Sequence, residues 1–158
     1  MAGRIRTRRW NDPAGAGESG ARILVCRFRP RGVRKEDETW DEWRPDLGPS
    51  RDLHAAYYGK GQSAIDWATY RQRYLAEMGR DPGRFHLRAL AGRIAGGESV
   101  VLLCSSACTD ESRCHRTLLG ELIAGRLNAG ASQGTLRGPR ERVMCGCRIP
   151  PEADRLET

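Results

Sequence analysis

The sequence predicts an α/β fold: a single domain with a small, mainly parallel sheet flanked by helices, a flexible N-terminal arm and a basic C-terminal extension. Three observations predict it. Ile23-Leu24-Val25 and Val100-Val-Leu-Leu103 are uninterrupted apolar runs of strand length, as expected of strands buried on both faces of a parallel sheet. The chain between them carries apolar residues at helical spacing. The resulting order of strand, loop, helices, strand, loop and helix is that of a layered α/β domain.

In chain order, Gly3 to Arg9 reads as a short strand within a basic arm of Arg4, Arg6, Arg8 and Arg9, and Asn11 to Gly20 is a turn rich in residues that break both periodicities. Arg22 to Phe28 is the first core strand, ended by Pro30 and Gly32. Arg31 to Pro45 is charged and irregular, a functional loop with room for one short helix, and carries Trp40 and Trp43. Ser50 stands at an N-cap position for a helix over Arg51 to Tyr58, which Gly59 and Gly61 terminate. Between Ser63 and Gly79, the residues Trp67, Tyr70, Tyr74, Leu75 and Met78 recur at helical spacing, and a stripe of this kind packs into a core. Arg84 to Ala95 is amphipathic through Leu87, Leu90, Ala91 and Ile94. Val100 to Cys104 is the strongest strand signal, expected beside Arg22 to Phe28 with its carboxyl end pointing the same way, and Thr117 to Leu127 is the last helix. Past Asn128 the chain is Gly-rich and basic; Val143-Met144 suits an edge strand and Cys145-Gly-Cys147 precedes an acidic tail. The expected division is 1–21 as arm and Gly-rich loop, 22–127 as core domain and 128–158 as extension.

With 158 residues and a mean hydropathy of −0.63, the chain suits one domain with tails and not two full cores. The longest apolar stretch, Ser99 to Cys104, is far short of the roughly 18 residues of a membrane span, and Met1 to Trp10 lacks an apolar leader core, so no membrane association and a cytoplasmic location are expected. The formal charge is +7, and of 27 basic residues only Lys35 and Lys60 are lysines. A guanidinium forks onto phosphate, which suits a nucleotide or nucleic-acid partner, although a GC-rich coding bias accounts for most of the arginines. Six cysteines without a secretion signal point to reduced thiols, and five of them fall at or after Cys104.

In open α/β sheets, ligands collect outside the carboxyl ends of the strands, and Cys104-Ser-Ser-Ala-Cys-Thr-Asp-Glu-Ser-Arg-Cys-His-Arg116 lies at such an end. Ser112 is expected to cap the following helix, placing Cys114 in its first turn, where free N–H groups and neighbouring cations favour a thiolate. His115 is the matching acid or base. The same helix start suits a phosphate, held by Arg116 with Ser105 and Ser106 adding hydroxyls.

Leu24-Val-Cys-Arg-Phe-Arg-Pro-Arg-Gly-Val33, then Trp43, Leu47-Gly-Pro-Ser50, Tyr70 to Tyr74, and Leu103-Cys104 through Cys114-His-Arg116 resemble the bacterial family catalogued as domain of unknown function 488, from about Ile23 to Ile123. The resemblance implies an α/β fold and a functional surface built from Arg27, Pro30-Arg31-Gly32 and the Cys-His-Arg turn. It brings no established activity. The family pattern has an aspartate before the arginine at the end of the first core strand, and this chain has Cys26 there, which cannot act as a carboxylate.

Three functional readings follow. The first is an enzyme acting on a nucleotide, nucleobase or nucleic acid, with Cys114 and His115 catalytic and Arg27, Arg31, Arg116, Ser105 and Ser106 binding the substrate and its phosphate. The second is a metal-binding or redox-sensing module in which Cys104, Cys108, Cys114, Cys145 and Cys147, with His115 as the one imidazole, hold zinc or an iron–sulfur cluster. Its spacings, C-x3-C, C-x5-C and C-x-C, are not those of zinc knuckles. The third is a non-catalytic nucleic-acid binder using the arginine arm and Trp10, Trp40 and Trp43 as stacking platforms.

Overall fold

The computed structural model describes residues 1–133. Four parallel strands, β1 (Ile5–Arg9), β2 (Ala21–Leu24), β3 (Glu42–Trp43) and β4 (Val100–Cys104), form one sheet in the order β1-β4-β2-β3. The two apolar runs are therefore neighbours, in the register Ala21↔Val100 to Leu24↔Leu103, with their carboxyl ends pointing the same way. Val25 continues the pairing by donating to Leu103 O at 2.9 Å.

Residues 5–9 do not hang from the domain as an arm: β1 is the edge strand, paired with β4 from Ile5↔Val100 to Arg9↔Cys104. Ile5 packs on the core, while Arg8 forks onto Glu18 with both side chains largely buried and Arg9 binds Asp12. Long charged side chains blunt an edge against further pairing. Gly20, at φ +107°, lets the chain turn into β2 where a Cβ would sit 2.1 Å from Ser99 O.

The helices are α1 (Arg51–Tyr57), α2 (Trp67–Met78), α3 (Gly83–Ala95) and α4 (His115–Gln133). Ser50 caps α1 as expected, accepting from Leu53 N at 3.1 Å. The second helix starts later than Ser63 because Asp66 caps it, accepting from Thr69 N at 2.7 Å. Tyr70, Tyr74 and Met78, and Leu87, Leu90, Ala91 and Ile94 of α3, are buried as their spacing predicts.

The helices flank one face of the sheet. Ile23, Val25, Val100 and Leu102 pack with residues from all four helices. The opposite face, through Leu24, Val101 and Leu103, is closed by Trp10, Val33 and Trp40. The reason lies in the connections: the segments before β2 and between β2 and β3 contain Pro13, Gly15, Gly17, Pro30 and Gly32 and form only turns and one 3-10 turn, Lys35–Asp37. Cys145, Cys147, the Val143-Met144 strand and the rest of the C-terminal extension beyond residue 133 lie outside the described residues.

Candidate functional site

The carboxyl ends of β2 and β4, the turn after β4, the segment after β2 and helix α1 surround a cavity of about 470 Å3. Its floor is a cluster of sulfur. Cys26 continues from β2 and Cys104 ends β4, so the pairing of these strands brings two thiols together from distant parts of the chain. Cys108 curls back so that its Sγ lies 3.3 Å from that of Cys104, and Cys114 closes the group from the start of α4. Cys104 and Cys114 are 0% and 2% exposed, whereas Cys108 is half-buried at the cavity wall.

His115 stands behind the sulfurs. Its Nε2 donates to Val25 O at 2.9 Å, and Cys104 Sγ is 3.8 Å from either ring nitrogen. A carbonyl only accepts, so Nε2 carries the hydrogen; burial lowers the imidazole pKa, and the neutral ring keeps Nδ1 bare.

The turn departs from its expected geometry. Ser112 does not cap α4; its N–H and hydroxyl both bind Asp110 Oδ1, at 3.0 and 2.6 Å, inside a 3-10 turn. The Cys114 carbonyl instead accepts from Thr117 N at 3.2 Å, so α4 begins one residue after Cys114. Cys114 is thus enclosed, and hydrogen bonding with Cys104 and Cys108 together with burial pushes its thiol pKa up. The expectation of a Cys114 thiolate gives way to Cys108, whose pKa the neighbouring Cys104 and Cys114 thiols lower by donating to its sulfur.

The walls differ in character. Phe28, His54, Tyr57, Tyr58 and Tyr70 form a chain of ring contacts, with His54 centred 5.1 Å from Phe28 and 4.8 Å from Tyr58, and Tyr57 4.5 Å from Tyr70. Five cations, Arg27, Arg29, Arg31, Lys60 and Arg113, line the cavity, and no carboxylate does.

Of the expected phosphate ligands, Arg31, Ser105 and Ser106 line the cavity and Arg31 has no ion-pair partner among the described residues. Arg27 reaches it too, but its Nε donates to Pro49 O at 2.6 Å and Nη1 lies 3.5 Å from Asp46. Arg116 does not line the cavity; it is 4% exposed and neither Nε nor Nη1 finds a hydrogen-bond partner among the described residues. The stacking platform of three tryptophans is not assembled: Trp40 is 6% exposed in the second core cluster, and Trp43 donates from Nε1 to Cys26 O at 2.9 Å.

Sequence reasoning missed Cys26 as a cluster member, the Val25 carbonyl, Lys60 and the aromatic wall. The wall had a signal: His54 and Tyr57 of α1 and its C-cap Tyr58 are spaced i, i+3, i+4 and so fall on one side.

A family model described as the active DUF488-N3 subclade matches residues 5–127. The chain is 43% identical over 74 residues to the uncharacterized protein YeaO of Escherichia coli (strain K12), a match covering 47% of this chain and 61% of YeaO. It is 30% identical over 109 residues to the uncharacterized proteins Rv3073c of Mycobacterium tuberculosis and Mb3100c of Mycobacterium bovis, covering 69% of this chain and 85% of each relative. No solved structure matches significantly. Among the described residues no helix is long and apolar enough to cross a membrane.

Proposed function

The chain belongs to the active DUF488-N3 subclade, and on that premise we propose that it is an enzyme acting on a phosphate-bearing nucleotide, nucleobase or nucleic acid held in the cavity above the thiols. One observation carries this reading: a single cavity joins a sulfur floor to walls of aromatic rings and cations without a carboxylate. Rings offer a base a stacking surface, and cations without opposing carboxylates attract the phosphate. In this reading Arg31 and Lys60 receive the phosphate, with Arg113, which also lies 3.8 Å from Asp110, beside them; Ser105 and Ser106 add hydroxyls, and the base lies against His54, Tyr57 and Tyr58. Cys108 meets the reacting atoms, with Cys114 and His115 behind it.

Two measurements test the proposal. Calorimetric titration with nucleoside monophosphates and short oligonucleotides should show binding that Arg31→Ala and Lys60→Ala each weaken about tenfold, or about 1.4 kcal/mol. Mass spectrometry of the same mixtures should show a product that Cys108→Ala abolishes while binding persists. Wild-type protein that binds none of the panel overturns the substrate class, and binding with no product overturns the enzyme reading.

A further inference from the structure

We propose that the floor of the cavity is a binding site for one zinc-class divalent cation, held by Cys104, Cys114 and His115, with Cys108 as a displaceable fourth ligand. The Sγ atoms of Cys104 and Cys114 and a ring nitrogen of His115 all lie within 4.8 Å of one another. Tetrahedral zinc at about 2.3 Å from sulfur requires ligand sulfurs about 3.8 Å apart. Cys104 and Cys108 are already this close, at 3.3 Å.

Three features beyond proximity fit a metal. Two thiols and one imidazole are a soft donor set that suits zinc and rejects magnesium or calcium. The hydrogen bond from His115 Nε2 to Val25 O is the arrangement that orients metal-ligating histidines, with one ring nitrogen tied to a carbonyl and the other bare. The burial is asymmetric as well. All four side chains line the cavity, but Cys104, Cys114 and His115 are buried and Cys108 is only half-buried, so Cys108 is the ligand an incoming molecule reaches most readily. Structural zinc sites are closed on all sides; an accessible fourth position is the mark of a site where the cation meets a ligand. The tight spacing suits a single ion and not an iron–sulfur cluster, whose cysteines must stand apart around several irons. Cys26, just past β2, interacts with Cys104 and adds a further thiol beside the ligands in place of a carboxylate.

The site does not depend on what binds at the rim, so its test is separate from that of the proposed function. Full-length protein purified reduced and without chelator should carry about one zinc per chain by elemental analysis. The metal-stripped protein titrated with Co2+ should develop thiolate-to-metal charge-transfer absorption. Cys114→Ser and His115→Gln should weaken zinc binding by more than the roughly 10- to 100-fold that loss of a supporting partner costs. Cys108→Ser, at the cavity wall, should retain the metal with a weaker charge-transfer band, and it serves as the variant least prone to misfold. The Cys145→Ser, Cys147→Ser double variant should retain the metal in full. Folded wild-type protein with no charge-transfer band overturns the proposal. So does zinc that is sub-stoichiometric and equal in wild type and Cys114→Ser, as adventitious binding would give, or metal lost only in the Cys145 and Cys147 double variant.

Discussion

Cys108 is the thiol through which the sulfur cluster communicates with solvent. Cys104 and Cys114 donate toward it and are themselves enclosed, so limiting iodoacetamide on reduced, metal-free protein should modify Cys108 ahead of Cys26, Cys104 and Cys114, as peptide mass mapping would show. Prior addition of zinc should slow that labelling. The part of this cluster that is local in sequence was legible: Cys104, Cys108, Cys114 and His115 all follow one strand and had to gather at its end. Which sulfur is accessible was not, because it turns on a helix starting two residues later than the Ser112 cap suggested. Cys26 was not legible either, since its place depends on β2 lying beside β4, and the carbonyl of Val25 has no side chain to announce it.

At the scale of elements, the site is held by the turn before α1. Tyr74 of α2, fully buried, donates its hydroxyl to Leu47 O at 2.7 Å, and Glu77 accepts from Ser50 N at 2.8 Å, so α2 clamps both sides of Gly48. Gly48 in turn lies flat against the strand end, where a Cβ would stand 2.7 Å from Arg27 N and 2.8 Å from Val25 O. Backbone cannot rotate away as a side chain can, so Gly48→Ala should destabilise the fold by about 1–3 kcal/mol in urea denaturation. Periodicity identified α2, α3 and the two central strands because their buried residues repeat along one face or run without interruption. It did not reveal that all the helices share one side of the sheet. That outcome depends on how short and Gly- and Pro-rich the first connections are, which limits what can cover the other side.

Over the whole molecule, part of the positive charge is paired with carboxylates and part is left open. Around the sheet, arginines are paired: Arg8 with Glu18, Arg22 with Asp41, and Arg93 with Glu42. At the cavity, Arg27, Arg29 and Arg113 pair with Asp46, Glu38 and Asp110, and Arg31 and Lys60 have no ion-pair partner among the described residues. The excess of arginine was countable from composition, but this division was not, because it requires knowing which loops fold over which strand. Hydrogen bonds from arginine hold the carboxyls of Glu18, Asp41 and Glu42 below their ordinary values. A carboxyl depressed in the folded state adds stability above its unfolded pKa and loses it as pH falls through the folded one. The melting temperature should therefore hold near neutrality and decline once acidification passes below about pH 4.5, with exposed pairs contributing about 1 kcal/mol or less each, as calorimetric scans at stepped pH would show. The strand order has a consequence for biosynthesis. β4 is the last of the four strands to be made and yet sits between β1 and β2, so a ribosome-bound chain carries β1 without a neighbour until Cys104 has emerged. Cys26 meets its sulfur neighbours only at that insertion, so the reactive centre comes into being together with the sheet and not before it.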